Sequence, residues 1–177
     1  MRRRAIARAA DAVLRAGKVV APPVPIERLI HKQGARLVLR SLNGNVSGFV
    51  HSDAEGNTIG VNSAHSRNRQ RFTMAHELGH LVLHDLAGVR VDERDFSVRF
   101  KSTPTRRGDD EEQEANLFAA ELLMPVSQLA QDAEKLGEFA LHDDKAVRKT
   151  AARYGVSVQT LIVRLTSLGL IEGSPLA

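Results

Sequence analysis

The segment "RFTMAHELGHLVLHD", residues Arg71 to Asp85, decides how this chain folds. It is apolar on nearly every side of a helix, yet it carries three histidines and a glutamate. Burying an imidazole or a carboxylate is costly unless the group finds a partner. The segment therefore predicts a core helix over about residues 66–85, with polar side chains that require a protein partner or an ion.

A metal ion is the partner that the histidine spacing favours. His76 and His80 are four residues apart, so they project from one helix face about 40° apart, with Glu77 beside them in the pattern H-E-x-x-H. A catalytic zinc ion commonly keeps three protein ligands and leaves one position for water. We interpret His76 and His80 as ligands of Zn²⁺ and Glu77 as the general base. The alternative is a pair of core histidines satisfied by backbone or carboxylate groups.

His84 lies another turn along the same helix and is not expected to complete the site. At a rise of 1.5 Å per residue it is about 12 Å from His76, too far to share one ion with bonds near 2 Å. We expect His84 to support a ligand or to lie at the end of the helix.

The third ligand is expected from a second helix over about residues 110–124. One stripe of this helix carries Glu112 and Asn116, together with alanines that allow another helix to approach closely, Ala115 and Ala119. Glu112 is the predicted third ligand, and Asn116 is placed to orient a ligand imidazole. Glu114, on the opposite face, remains the alternative ligand.

The two segments "RFTMAHELGHLVLHD" and "EEQEANLFAAELLMP" together resemble the ImmA/IrrE family of zinc metallo-endopeptidases. The resemblance extends from about residue 37 through Pro125 and includes the family's E-x-x-A-N element, which here spans Glu112 to Asn116. It implies a zincin-like fold and a gluzincin-type ligand set. It also implies a protein substrate, a helix-turn-helix transcriptional repressor, whose cleavage relieves repression in a stress, phage or mobile-element response.

The surrounding sequence predicts an α+β fold. An amphipathic helix over 3–16 precedes three short strands, which the turn sequences "SLNGN" and "SDAEGN" predict to pair as an antiparallel meander, "ARLVLR", "VSGFVH" and "NTIGVN". Because zincins hold substrate along a sheet edge, we expect "NTIGVN" to lie against the cleft. The stretch 87–110 reads as a loop, with one further strand at 96–100.

The domain prediction is a metallopeptidase core with its N-terminal helix over 1–125 and a helical region over 126–177 packed on it. Residues 143–168 have the helix, glycine turn and helix cadence of a helix-turn-helix. The length of 177 residues fits one domain with a substantial core. The absence of cysteine excludes disulfides, thiolate zinc ligands and thiol nucleophiles, so a metal must use His, Asp or Glu.

Two other functions are compatible with the sequence. The net charge of +4 and the arginine-rich N-terminus permit a DNA-binding regulator, but the second helix of the 143–168 pair offers Arg164 as its one cation, so direct nucleic-acid binding is not favoured. A zinc-binding toxin–antitoxin partner with little catalysis is the other alternative. No apolar run approaches the roughly 20 residues of a membrane span, and the N-terminus lacks an apolar signal-peptide core, so we expect a cytoplasmic protein without a membrane segment.

Overall fold

The computed structural model describes residues 2–43, 46–85, 88–92, 107–136 and 144–171. These ranges form an α+β fold, as predicted, with helices α1 (Arg2–Ala16), α2 (Ile26–Lys32), α3 (Arg67–Leu83), α4 (Arg107–Leu123), α5 (Val126–Leu136), α6 (Asp144–Tyr154) and α7 (Val158–Ser167), and strands β1 (Ala35–Arg40), β2 (Gly48–Asp53), β3 (Gly56–Asn62) and β4 (Gly88–Asp92). Within these ranges no helix has both the length and the apolar character needed to cross a bilayer.

Within the described residues the sheet is mixed and has four strands. The predicted antiparallel hairpin of β2 and β3 across "SDAEGN" is confirmed, whereas the predicted antiparallel pairing of β1 with β2 was wrong. The strand order is β1-β3-β2-β4, with β1 parallel to β3 and with β2 antiparallel to both β3 and β4. The chain after β1 crosses the end of β3 before it enters β2. Buried Asn62 holds this crossing, because its side-chain amide donates to the carbonyls of Leu42 and Val46 at 3.3 and 2.9 Å. The turn-like sequence is therefore a crossover and not a tight hairpin.

The sheet edges also differ from the prediction. "NTIGVN" forms most of β3, which is an interior strand, so it cannot be the edge along the cleft. In the described sheet the edges are β1 and β4, and β4 occupies a stretch that we expected to be loop. The strand predicted at 96–100 lies outside the described residues.

Helix α3 lies at the centre of the core and is buried from Phe72 through His80. Ser66 caps its N-terminus by accepting a hydrogen bond from the Arg69 backbone N–H, and His84 is its C-cap. Its closest helical neighbour is α4, since a Cβ atom added at Gly79 would lie 3.2 Å from the Cα of Ala115. Glycine on one helix and alanine on the other thus permit the close approach that brings the site residues together.

The C-terminal helices attach to this core through buried polar contacts. The guanidinium of Arg164 on α7 donates to both carboxylate oxygens of Glu121 on α4, at 3.1 and 2.6 Å. Tyr154 on α6 is wholly buried and donates its hydroxyl proton to Asp132 on α5 at 2.8 Å. Apolar residues from Ile6 to Leu165 belong to one buried cluster. The division of the chain at residues 125 and 126 stays a prediction.

Candidate metal centre

The structure brings together the three residues that the sequence nominated as metal ligands. The Nε2 atoms of His76 and His80 are 3.0 Å apart. The Glu112 carboxylate faces both Nε2 atoms, with Oε2 3.4 Å from His76 Nε2 and Oε1 3.3 Å from His80 Nε2. Both imidazoles are 1% exposed and the Glu112 side chain is 17% exposed, so the group opens to solvent on the carboxylate side. Ligand atoms from all three residues lie within 4.8 Å of one another.

The contact with Asn116 sets the tautomer of His76. The Nδ1 atom of His76 lies 3.0 Å from the side-chain oxygen of Asn116. An amide oxygen can only accept, so Nδ1 carries the proton and donates it. In a neutral imidazole the other nitrogen, Nε2, then directs a lone pair into the site.

A longer chain of contacts sets the tautomer of His80. Its Nδ1 lies 3.0 Å from Nδ1 of His84, and Nε2 of His84 lies 3.2 Å from the carboxylate of Glu114. The carboxylate accepts, so neutral His84 carries its proton on Nε2 and accepts from His80 through Nδ1. The Nε2 lone pair of His80 therefore also faces the site. His84 supports a ligand without entering the group.

Electrostatics keep His80 neutral and Glu112 ionised. Burial lowers the pKa of the His80 imidazole from 6.5 to about 4; the contact with Glu112 opposes this change, and His76 and Arg90 add to it. Burial acts to raise the pKa of Glu112, but hydrogen bonds that it accepts from His76 and His80 whenever a proton lies on their Nε2 atoms outweigh burial and lower that pKa well below the ordinary value.

The donor set fits a divalent cation. Two imidazole lone pairs and an ionised carboxylate converge on one point, and such acceptors repel one another unless a cation or a proton lies between them. Two neutral nitrogens and one carboxylate oxygen form a ligand set that zinc accepts, with a coordination position left for a further ligand.

The alternative ligand, Glu114, is not part of this group. Its carboxylate contacts His84 and forms an ion pair with Arg2 of α1. It therefore lies on the side of His84 that faces away from His80, where it can fix the orientation of the supporting imidazole.

Glu77, the predicted base, is wholly buried in α3 on the side of the helix that faces β2. A Cβ atom added at Gly48 of β2 would lie 2.5 Å from Thr73 Cγ2 and 3.0 Å from Glu77 Oε1. Glycine at position 48 thus leaves the space that the glutamate carboxylate occupies. The role of Glu77 as a base stays a prediction.

The sequence interpretation missed Arg90 on β4. Its guanidinium donates to Glu111 Oε2 at 2.6 Å and to Glu112 Oε1 at 2.7 Å. The alternation in "GVRVD" is a strand signal that places Arg90 opposite its two valine neighbours. That signal gives no indication of which helix the arginine reaches.

An α+β fold in which an H-E-x-x-H helix packs against a second helix that supplies a glutamate defines the zincin-like class. Residues 30–166 match the family described as the IrrE N-terminal-like domain, and the chain belongs to this family.

Two curated relatives are similar to this chain. The chain is 33% identical over 114 residues to the radiation response metalloprotease IrrE of Deinococcus radiodurans, an alignment that covers 64% of this chain and 32% of the relative. It is 36% identical over 105 residues to an uncharacterized immunity region protein 2 of Bacillus phage phi105, covering 58% of this chain and 59% of the relative. The chain thus spans about a third and about three fifths of these two proteins.

Proposed function

We propose that this chain is a zinc-dependent endopeptidase of the gluzincin type. The observation that carries the proposal is the convergence of His76 and His80 from α3 with Glu112 from α4, with both imidazole lone pairs directed at one point. These three residues would hold Zn²⁺. When bound, zinc supplies the Lewis acidity that polarises a scissile carbonyl and acidifies water.

Glu77 would act as the general base and then as the general acid. Its carboxylate takes a proton from the attacking water and passes it to the departing amine nitrogen. Glu77 directly follows His76 on the helix that carries two of the proposed ligands. It is completely buried beside β2, so its carboxylate is kept away from bulk solvent.

The peptide substrate would lie along β4. An extended segment can add to a free strand edge through backbone hydrogen bonds. Strand β4 is an edge strand, and its Arg90 side chain contacts the Glu112 carboxylate. This places an added strand beside the proposed metal ligands. The proposed substrate edge is therefore β4 and no longer β3, because β3 lies between β1 and β2 in the sheet.

The proposed substrate is a helix-turn-helix transcriptional repressor, and its cleavage would relieve repression in the cytoplasm. One similar protein is named as a radiation response metalloprotease and the other as a phage immunity region protein. These names support a stress, phage or mobile-element response as the setting.

The contact of Arg164 argues against the DNA-binding alternative. Arg164 was the one cation that the second C-terminal helix could offer to a phosphate or a base. Its side chain is 1% exposed and its guanidinium is engaged by Glu121. A buried cation that already binds a carboxylate is not available to nucleic acid, so the endopeptidase is the better-supported function.

The test uses the purified chain and the repressor encoded beside its gene. We expect zinc-dependent cleavage that a chelator abolishes and that added zinc restores. Glu77→Gln should abolish cleavage while it still binds zinc, whereas Glu112→Gln should lose both. Cleavage that survives in Glu77→Gln would refute the assigned base. Intact biological activity in that variant would favour the toxin–antitoxin alternative.

A further inference from the structure

Arg90 links the sheet edge to helix α4. Its register partner on β2 is Val50, which is wholly buried, so Arg90 extends from the inner face of the sheet. Val89 and Val91, its neighbours on β4, are 62% and 49% exposed on the other face. The two guanidinium nitrogens then divide between neighbouring carboxylates, those of Glu111 and Glu112.

We propose that Arg90 is a positioning residue that presents Glu112 to the metal, an inference that rests on the proposed metal centre. Arg90 Nη2 holds Glu112 Oε1 at 2.7 Å, while Oε2 lies 3.4 Å from His76 Nε2. The terminal torsion of a glutamate is broad, and this side chain is partly open to solvent, so an unheld carboxylate can turn away from the imidazoles. A planar guanidinium that holds one oxygen fixes the direction of the other.

The charge of Arg90 by itself has the opposite effect, because a cation beside the site repels a second cation. Glu111 offsets this repulsion. It lies 2.6 Å from Arg90 Nη1, so one guanidinium is shared by two carboxylates and the trio keeps a net negative charge. We therefore expect the orienting effect of Arg90 to be larger than its repulsion of the metal, so loss of Arg90 should weaken metal binding.

The experiment measures zinc affinity of the full chain by competition with a chromogenic chelator. Arg90→Met should bind zinc about 10- to 100-fold more weakly, the range for outer contacts of metal ligands. Arg90→Lys should fall between that variant and the wild type, because an ammonium group cannot fork between two carboxylates. Arg153→Met is the matched control, since it removes another arginine–carboxylate pair, with Asp132 at 3.2 Å, and should bind zinc as the wild type does.

Cobalt provides a second readout that a merely structural role would not change. In Arg90→Met the visible absorption of bound Co²⁺ should shift as Glu112 loosens, and Arg90→Lys should restore it in part. Unchanged affinity and spectrum, or tighter binding, would overturn the positioning role. If Arg90→Met does not fold, wild-type affinity in Arg90→Lys overturns it instead. A wild-type chain that binds no zinc would overturn the proposed function itself, which is a distinct result.

Discussion

Replacing Gly79 with alanine should weaken metal binding, because at this glycine α3 lies directly against the backbone of α4. The added Cβ would be 3.2 Å from both the Cα and the carbonyl oxygen of Ala115, and 3.1 Å from Phe118 Cδ1. Two of these three atoms are backbone. The contact can therefore be relieved only if α4 moves relative to α3.

The size of the effect follows from these distances. These contacts are shorter than ordinary van der Waals distances, so α4 must shift by a few tenths of an ångström. Glu112 lies three residues before Ala115, and metal–ligand distances tolerate changes of only about 0.2 Å. We expect zinc affinity to fall by about 10- to 100-fold, comparable to the loss of an outer contact. Overpacking costs about 1–3 kcal/mol and the gain in helix propensity is about 1 kcal/mol, so the metal-free fold should lose about 0–2 kcal/mol.

Two measurements test this prediction: chelator competition for zinc, and urea unfolding with chelator present. Phe118→Leu in the Gly79→Ala background is the informative control, because it relieves the side-chain contact and leaves both backbone contacts. It should not restore zinc affinity. A Gly79→Ala variant with wild-type zinc affinity, and with metal-free stability raised by about the propensity gain of 1 kcal/mol, would refute the reasoning.

Three further predictions concern single side chains. In the metal-free protein the free energy of unfolding should fall by about 3 kcal/mol as the pH drops from 6.5 to about 4, because the unfolded chain takes up a proton that folded His80 does not. Urea titrations at several pH values should show this decrease. The same decrease in His80→Gln would contradict the assignment to His80. Glu121→Gln should destabilise the fold by about 3–5 kcal/mol in urea unfolding, because buried Arg164 loses its partner charge, and a change under 1 kcal/mol would contradict this. Asn116→Ala should weaken zinc binding by about tenfold in chelator competition, while Asn116→Asp keeps an acceptor for His76 and retains most of the affinity; equal losses would contradict the tautomer argument.

The site residues could be nominated from the sequence because their arrangement is set by helical periodicity. The four-residue spacing of His76 and His80 fixes their common face, and the same geometry excludes His84 as a third ligand of one ion. The choice of Glu112 followed from its stripe on the second helix, which also carries the small residue Ala115. The structure places that stripe against Gly79, so a local pattern was sufficient.

The sheet was less predictable because its pairing depends on residues far apart in sequence. The crossover after β1 is held by Asn62, which contacts backbone groups 16 and 20 residues earlier, and no turn signal encodes that contact. Strand β4 has only five residues, and both its valines are largely exposed, so its hydrophobic pattern is weak. Arg90 could not be assigned to the site without knowing that β4 pairs with β2.

The outer contacts explain how a site made of mutually repelling acceptors can be arranged before a metal arrives. His76 and His80 each donate a hydrogen bond through Nδ1–H to a fixed neighbour, which leaves their Nε2 atoms 3.0 Å apart with lone pairs that repel each other. Burial keeps His80 neutral to about pH 4, so a cation need not displace a proton from it at neutral pH. The packing of α3 on α4 also holds the Glu112 carboxylate against these lone pairs, and a bound cation would relieve the repulsion among the three groups. Metal binding should therefore stabilise the folded chain in proportion to the logarithm of free zinc above its dissociation constant.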